Sequence, residues 1–363
     1  MKIIALTRFA LGVCATAGFL AACSSGGSQL APSAAMQQSS LNRSQTLSVL
    51  RASATQHLFV ANLAAQPTDV SMYGLQSNKE LHRVKSEIDT PTRIADDASG
   101  RLYVANTHRN QITVFGPMKK YFSYTITQGI WAPSALLLDN SGALYVGNTA
   151  GPPSGSVEVF APRSKTLLRT ITDGISQPSA MAFDRSGNLF IANTNQSGGS
   201  VTIYPPGGST AMKTITDGIQ NPHALATDAQ GNLYVINLPV SGSGWNVKVY
   251  SAGAFALTRT ITDGLNVPFS LAFDSSGNLY VGNATNITVY APGTSKVLRT
   301  IATEANGFGT TALVFDSSGV LYAAYEGEDN GGVKLYAPGS DTPMLKIGRP
   351  QGVRQPLALA IGP

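Results

Sequence analysis

The sequence predicts an all-β fold, a seven-bladed β-propeller built from four-stranded antiparallel blades. Three observations carry this prediction. One motif recurs along the chain, each copy contains four short predicted strands, and the two chain ends supply complementary halves of one more copy. A repeat of this length is typical of a stacked array or a propeller rather than of a single globular core.

An aspartate in the turn after the first strand marks each repeat. These aspartates lie 42 to 46 residues apart, at Asp97, Asp139, Asp184, Asp228, Asp274 and Asp316. The surrounding motif is P-x-A-x-x-F-D-x-S-G-N-L-Y-V-x-N, and only the copy that begins at Thr310 lacks the proline. The chain therefore contains six whole repeats.

One copy illustrates the four strands. We expect the first two at Ser179 to Phe183 and at Leu189 to Asn193, joined by the turn D-R-S-G. In that turn the aspartate can accept hydrogen bonds from backbone N–H groups two residues on, and the glycine can take a positive φ. The alternation of apolar and polar residues predicts the third strand at Val201 to Tyr204. The fourth is predicted at Met212 to Ile215.

The chain ends predict how the ring closes. Pro356 to Gly362 matches Pro178 to Asp184 position by position, and then the chain stops. His57 to Asn62 matches a second strand that has no first strand before it. We expect the two to pair in a composite seventh blade with the C-terminal strand innermost, which leaves no free sheet edge at the closure.

The N-terminus predicts export and lipidation. A short basic segment precedes an apolar run that is too short to span a bilayer, and Leu-Ala-Ala-Cys follows, ending at Cys23. This order resembles a bacterial lipoprotein signal, which implies acylation of Cys23 after removal of residues 1–22. The alternatives are an ordinary secretory signal or a chance cysteine. Because the only other cysteine is Cys14, the mature protein would have no thiol to form a disulfide.

The Ser- and Gln-rich composition of residues 23–55 predicts a flexible tether, and the repeats predict that residues 56–363 form the propeller. Leu47, Val49 and Leu50 leave open whether the end of the tether adds a strand or packs under the propeller.

Charged residues make up only 12% of the chain, alongside 37 glycines and 20 prolines, which is turn-rich β composition. Loss of Lys2 and Arg8 with the leader lowers the formal net charge from +5 to +3. Because the basic residues are scattered, we expect no nucleic-acid partner.

The loops after the second strand vary in sequence while the strands do not. In a propeller these loops share one face with the connections between blades, so a binding site is expected there. Six copies end the second strand with asparagine: Asn62, Asn106, Asn148, Asn193, Asn237 and Asn283. Their amides could hold a metal or a sugar at the channel. Repetition at equivalent positions favours the alternative that they satisfy loop backbone groups.

Residues that break the repeat are the candidates for binding. Arg93 replaces an alanine in the innermost strand, and a cation there needs an acidic partner or a ligand. His223 and Phe269 replace serines in the same region. Other candidates lie on face loops, namely Trp131, Trp245, His108, Arg109 and an acidic cluster of Glu326, Glu328 and Asp329.

Signatures of catalysis are missing from the sequence. It contains no G-x-S-x-G, no H-E-x-x-H and no Cys/His ligand pattern, and the D-x-S-G-N turn lacks the spacing of a calcium loop. We therefore predict no catalytic residues, no cofactor and no metal ligands. A divalent metal in the channel is an unsupported possibility.

The repeats resemble those of NHL-type propellers from about Gln56 to the C-terminus, through the elements Pro-x-Ala-x-x-x-Asp, Gly-x-Leu-Tyr-Val-x-Asn and Val-x-Val-Tyr. The resemblance implies the propeller fold. Relatives of this architecture include protein- and ligand-binding domains, streptogramin B lyases, amidating lyases and gluconolactonase-like enzymes.

The sequence therefore predicts a monomeric, lipid-anchored binding or scaffolding module of the cell envelope, held in the outer membrane if the organism is Gram-negative. Its partner would be an envelope protein or glycan. The alternatives are a metal-dependent lyase or lactonase of the propeller type, and a purely structural surface protein.

Overall fold

The computed structural model of the chain describes residues 56–63, 68–117, 121–151, 154–194, 198–239, 244–303, 309–327 and 331–363. The predicted signal peptide, Cys23 and the tether lie outside these residues, as do Glu328 and Asp329. Within the described residues, 28 strands form seven four-stranded antiparallel sheets, so the predicted seven-bladed all-β propeller is confirmed.

Each blade is given from its innermost to its outermost strand. Blade 1 contains β28 (Pro356–Gly362), β1 (His57–Asn62), β2 (Asp69–Gly74) and β3 (Glu80–Val84). Blade 2 contains β4 (Pro91–Asp96), β5 (Leu102–Asn106), β6 (Gln111–Phe115) and β7 (Phe122–Ile126). Blade 3 contains β8 (Pro133–Leu138), β9 (Leu144–Asn148), β10 (Ser156–Phe160) and β11 (Leu167–Ile171). Blade 4 contains β12 (Pro178–Phe183), β13 (Leu189–Asn193), β14 (Ser200–Tyr204) and β15 (Lys213–Ile215).

The last three blades follow the same order. Blade 5 contains β16 (Pro222–Thr227), β17 (Leu233–Asn237), β18 (Asn246–Tyr250) and β19 (Leu257–Ile261). Blade 6 contains β20 (Ser270–Phe273), β21 (Leu279–Gly282), β22 (Asn286–Tyr290) and β23 (Val297–Ala302). Blade 7 contains β24 (Ala312–Phe315), β25 (Leu321–Tyr325), β26 (Gly332–Tyr336) and β27 (Leu345–Ile347), and a short 3-10 helix (Arg349–Gln351) leads from it to β28.

The composite blade closes the ring as expected. β28 pairs antiparallel with β1, with His57 opposite Gly362 and Asn62 opposite Pro356. The chain ends therefore hydrogen-bond to each other along the whole of β1. In blade 4, the predicted fourth strand is one residue too long, because Met212 precedes β15 and its N–H donates to the carbonyl of Ile203 at 2.8 Å.

The turn between the first and second strands has the predicted chemistry. In Asp228, for example, Oδ1 accepts from the N–H groups of Gln230 at 3.0 Å and Asn232 at 2.9 Å. Gly231 in the same turn has φ of 84°. Because a glycine adopts this conformation without a steric penalty, the turn can follow the inner strand directly.

The apolar core lies in the seams, meaning the interfaces between adjacent blades. One cluster joins Phe190 of blade 4 to Tyr250 of blade 5, and another joins Val159 of blade 3 to Tyr204 of blade 4. Each sheet is therefore buried by its two neighbours and not by a second layer.

Three seams share an aromatic contact at the turn end of the inner strands. The T-shaped pairs are Tyr145–Phe183, Tyr234–Phe273 and Tyr280–Phe315, with ring centroids 5.1, 5.0 and 5.0 Å apart. An arginine of the outermost strand donates to each tyrosine hydroxyl, at 2.9, 2.7 and 2.8 Å respectively. Such a pair contributes about 0.5–1.5 kcal/mol beyond the area that it buries.

Candidate functional site

The candidate site lies at the channel mouth, where the seven innermost strands begin. The residue after the proline position forms a ring there, which we call the channel-mouth ring: Thr92, Ser134, Ser179, His223, Phe269, Thr311 and Leu357. Four of its members have a hydroxyl group. The structure uses these hydroxyls to join one blade to the next.

Each hydroxyl of the ring donates to the first carbonyl of the next inner strand. The bonds are Thr92 to Pro133 at 3.2 Å, Ser134 to Pro178 at 2.6 Å, Ser179 to Pro222 at 2.7 Å and Thr311 to Pro356 at 2.7 Å. In blade 6 the neighbouring Ser270 makes the equivalent bond to Thr310 at 2.8 Å. Five of the seven seams are therefore closed by an inter-blade hydroxyl bond.

The two other seams have no hydroxyl at this ring position. His223 replaces it between blades 5 and 6, and Leu357 replaces it between blades 1 and 2. Arg93 is the next residue after Thr92 in the first strand of blade 2. Of the residues that break the repeat, His223 thus lies at a seam that lacks the bond.

His223 lies at the seam of blades 5 and 6. Its side chain is 9% exposed, and its ring makes a T-shaped contact with Phe269 at a centroid distance of 6.3 Å. Nε2 is buried and has no hydrogen-bond partner among the described residues. Burial, helped by the charge of Arg93, lowers the pKa of His223 to about 3, so the imidazole is neutral at physiological pH.

Arg93 belongs to blade 2, and its charge acts on the pKa of His223 in blade 5. Arg93 is 4% exposed, and the other five blades with the standard residue have alanine at its position. Its Nη1 donates to the carbonyl of Thr92 at 2.7 Å. The structure therefore brings Arg93, His223 and Phe269 from three separate blades to one end of the channel, and we call them the channel-mouth cluster.

Phe269 extends the cluster toward blade 7. A Cβ atom added at Gly309 would lie 2.4 Å from its ring, so the phenyl group requires a glycine there. The next residue, Thr310, is fully buried, and its Oγ1 has no partner among the described residues. Sequence reasoning did not select Thr310 as a site residue, although the loss of the repeat proline at that position was the available signal.

The six asparagines have an architectural role. All are fully buried, and each Oδ1 accepts from a backbone N–H in the loop that enters its own blade, as from Trp131 to Asn148 at 3.0 Å. Equivalent bonds are made by the others at 2.9–3.2 Å. The Asn148 Nδ2 donates to Gly129 and Ser156. The amides satisfy loop backbone groups, as the favoured interpretation predicts.

The residue before the proline position of each repeat has left-handed backbone geometry. Its φ is positive in all seven blades, at Thr90, Ala132, Gln177, Asn221, Val267, Gly309 and Gln355. Val267 and Thr90 are the β-branched members of this set, and β-branched residues rarely adopt this region. Since the conformation recurs around the ring, it belongs to the architecture of the fold.

The remaining candidates lie on separate blades of the loop face. Trp131 is 53% exposed in the loop before blade 3, and Trp245 is half-buried just before β18. Arg109 forms ion pairs with Glu87 at 3.3 Å and Asp89 at 3.5 Å.

Two further features concern blade 7 and metal binding. The N–H of Glu326, which follows β25, donates to the Gly309 carbonyl at 3.0 Å. Within the described residues, no group of three or more His, Cys, Asp or Glu side chains is arranged to hold a metal ion. No helix in that part of the chain is both long and apolar enough to cross a bilayer.

Comparisons with known proteins extend to the fold alone. No protein-family model matches the sequence, and no curated protein matches it. Among solved structures, the chain is similar to a functionally unknown protein from Desulfotomaculum acetoxidans DSM 771, with a TM-score of 0.69 and 10% identity over 84% of this chain and 98% of that chain.

A second similar structure is hydrazine synthase from Kuenenia stuttgartiensis, with a TM-score of 0.57 and 15% identity over 69% of this chain and 78% of that chain. In total 1239 solved chains match, so the similarity supports a widely used fold and does not single out an activity.

Proposed function

We propose that this chain is an exported lipoprotein whose NHL-like propeller is a non-catalytic binding module at the cell envelope. Residues 1–22 are the signal peptide, Cys23 is the acylated residue, and the tether of residues 23–55 holds the propeller to the membrane. In a Gram-negative organism the membrane is the outer one. The partner is an envelope protein or glycan, bound by a monomer through the loop face.

The convergence of Arg93, His223 and Phe269 is the observation that supports binding. All three depart from the repeat, and His223 leaves the seam of blades 5 and 6 without the inter-blade hydroxyl bond of the ring. Residues kept at a cost to stability are expected where a protein binds or reacts. Trp131 and Trp245 add aromatic side chains to the same face, and aromatic residues supply much of the energy of protein interfaces.

The state of His223 favours binding over a lyase or lactonase. A general base works best when its pKa lies near the operating pH. Burial lowers the pKa of His223 to about 3, so it is a weak base at neutral pH. Among the described residues, no group of three or more His, Cys, Asp or Glu side chains is placed to hold a metal ion that could activate a substrate.

A retention experiment tests the binding role. The purified protein is immobilised and exposed to detergent-solubilised envelope proteins and to soluble cell-wall glycan fragments. We expect one of these fractions to be retained, with retention at least tenfold lower in Trp131→Ala or Trp245→Ala. Tyr121→Ala is the matched control, because Tyr121 is 76% exposed in a turn on the opposite face. Equal loss with Tyr121→Ala would argue against a loop-face site.

A fractionation experiment tests the anchor separately. We expect Cys23→Ser to move the protein from the membrane fraction to a soluble exported fraction, because acylation needs the thiol. A cleaved Cys23→Ser protein that stays in the membrane fraction would contradict lipid anchoring while leaving the binding role open.

A further inference from the structure

We propose that the outer rim of the propeller contacts a membrane surface that contains anionic phospholipid, through a patch on blades 2 and 3. The outer rim consists of the outermost strand of each blade and the turn that leads into it, residues 75–84, 116–117, 121–126, 161–171, 205–215, 251–261, 291–302 and 337–347. This inference rests on the proposed lipid anchor, because only an anchored propeller stays beside a membrane. It adds an interaction surface that is separate from the loop face.

The first step is the charge of the outer rim. Among the described residues, six exposed side chains of the rim are basic and one, Asp341, is acidic. Elsewhere on the described surface, exposed Lys and Arg number four, and exposed Asp and Glu also number four. The basic rim residues are Lys79, Arg163, Lys165, Lys213, Lys296 and Lys346. The fold therefore gathers on one surface basic residues that are scattered along the sequence, and such a surface attracts anions.

The second step is the apolar character of the same rim. Among the described residues, seven of the eight exposed large hydrophobic side chains lie on it, and Trp131 is the exception. Five of the seven occupy one equivalent position near the start of the outermost strand and are 47–57% exposed: Leu81, Leu168, Met212, Leu298 and Met344.

A β-bulge explains why this position is exposed. In blade 3, Arg169 pairs with Val159 and Leu167 pairs with Phe160, so Leu168 is the extra residue between them. The pairing skips the equivalent residue in blades 1, 2, 5 and 6 as well. A bulge interrupts the ladder and twists the edge strand, which protects a sheet edge from pairing with another strand. The rim is thus built against strand addition, and its exposed side chains are what it offers to a partner.

The third step selects one sector of the rim. On blades 2 and 3 the rim has no acidic side chain among the described residues. The exposed basic and large apolar residues of this sector, which we call the rim patch, are Tyr121, Phe122, Arg163, Lys165 and Leu168. Lys165 joins the two blades, because its Nζ lies 5.4 Å from the ring centroid of Tyr124 in β7. Aromatic, aliphatic and basic side chains together are typical of surfaces that lie in a membrane interface.

The other sectors of the rim fit an anionic membrane less well. In blade 1, Glu80 pairs with Arg83 at 2.6 Å, and between blades 6 and 7, Asp341 pairs with Arg299. In blade 4, the carboxylate of Asp173 lies against the rim and accepts a backbone N–H bond there. Blade 5 has a threonine at the bulge position and no exposed basic residue on the described part of its rim.

Contact through the rim patch would place the channel axis parallel to the membrane and leave the loop face open to a partner beside it. The tether of residues 23–55 has an average reach of about 30 Å, so by itself it leaves the orientation free. The patch adds an electrostatic attraction, which salt screens over about 10 Å at an ionic strength of about 0.1 M. It therefore orients an anchored propeller and does not hold an unanchored one during fractionation in salt.

Sedimentation with vesicles tests the rim patch directly. The mature protein has Cys23→Ser, so it binds without an acyl chain. The vesicles contain phosphatidylcholine with about one third phosphatidylglycerol, or phosphatidylcholine alone. At about 20 mM salt we expect binding to the anionic vesicles only, and at about 500 mM salt we expect this binding to be lost.

Two double variants at equivalent positions identify the sector. Lys165→Gln with Leu168→Gln should weaken binding to anionic vesicles by about tenfold or more. One basic residue near such a surface accounts for roughly fivefold, and a leucine buried in the interface adds to this. Lys296→Gln with Leu298→Gln is the matched control on blade 6 and should change binding by less than about twofold. All four side chains are exposed, so the unfolding midpoints should stay the same.

The proposal is overturned if anionic vesicles do not bind the protein, if neutral vesicles bind it equally, or if the blade 6 variant weakens binding as much. Binding to heparin without binding to vesicles would also overturn it and would indicate an anionic glycan as the partner. Failure here leaves the lipid anchor and the loop-face partner standing, because neither of their experiments needs the rim patch. Wild-type protein found in the soluble fraction would reject the anchor, while vesicle binding would keep the patch.

Discussion

The seam between blades 3 and 4 and the seam between blades 5 and 6 are alike at one end and different at the other. At the turn end both have a T-shaped Tyr–Phe pair, Tyr145–Phe183 and Tyr234–Phe273, with nearly equal centroid distances of 5.1 and 5.0 Å. At the channel mouth, Ser134 closes the first seam with a hydroxyl bond of 2.6 Å.

The second seam has His223 at the corresponding position, in contact with Phe269. The seam of blades 3 and 4 therefore serves as a control, within the same molecule, for the seam of blades 5 and 6. Differences between the seams that arise at the channel mouth reflect what was exchanged there, since their opposite ends are built in the same way. The exchange gives up a hydrogen bond and buries an imidazole, which is consistent with selection for something other than stability.

The largest expected effect is acid sensitivity of the seam of blades 5 and 6. The pKa of His223 is lowered to about 3 in the folded protein, so between about pH 3 and 6.5 the unfolded chain binds more protons. Above pH 6.5 the neutral imidazole makes its full contribution to the free energy of unfolding. Below pH 6.5 this contribution falls by about 1.4 kcal/mol per pH unit. At pH 4.5 we expect His223→Ser to be more stable than wild type by an extra ~2–3 kcal/mol relative to neutral pH.

Urea unfolding of both proteins from pH 4 to 8 measures this difference. All other groups cancel, including Asp69, whose pKa is raised chiefly by burial. Parallel stability curves for wild type and His223→Ser would show that the buried imidazole is not the source of acid sensitivity.

The next effect tests the likeness of the two seams. Phe183→Ala and Phe273→Ala should each lower the free energy of unfolding by about 2 kcal/mol, because each removes a half-buried ring from an edge-to-face contact. Chemical denaturation of the two variants checks this. A difference between them of more than ~1 kcal/mol would mean that the turn ends are not equivalent.

A smaller effect concerns the hydroxyl bond itself. Ser134→Ala should cost about 1 kcal/mol, the usual value of a buried hydrogen bond, while His223→Ser at pH 7.5 should gain a similar amount by supplying the missing donor. Both follow from denaturant midpoints with unchanged slopes. If His223→Ser is destabilising at this pH, the imidazole contributes to the seam more than the hydroxyl does elsewhere.

The smallest effect lies at the rim, at the residue before the proline position of each repeat. Val267 and Gln177 are equivalent there, with φ of 48° and 47°. Because a β-branched side chain is the more strained in this region, Val267→Asn should stabilise the protein by about 0.5–1 kcal/mol. Gln177→Asn is the control and should change stability by less than half as much. Equal gains at both positions would show that branching does not matter.

Much of the fold was predictable because it is repeated. The turn aspartates and glycines act locally, within five residues of each other, so their chemistry can be deduced from the sequence. The pairing of β1 with β28 was also predictable, since the half repeats at the two ends together make one complete blade. Met212 fell one residue outside β15, although its N–H still donates to the carbonyl of Ile203 in the neighbouring strand.

The site was predictable only as a set of candidates. Arg93, His223 and Phe269 stood out by departing from the repeat, but their convergence depends on the curvature of a closed ring, which sequence spacing does not contain. The inter-blade hydroxyl bonds join residues about one repeat apart, and nothing in a single copy indicates that Ser134 donates to Pro178.

The sequence by itself determined the number of blades, the four strands of each and the pairing of the two ends, because periodicity and turn chemistry are local and recur seven times. Only the tertiary structure decided which departures from the repeat act together. The charge of Arg93 in blade 2 acts on His223 in blade 5, so the burial and the neutral state of His223 arise from ring closure and not from any one stretch of the chain.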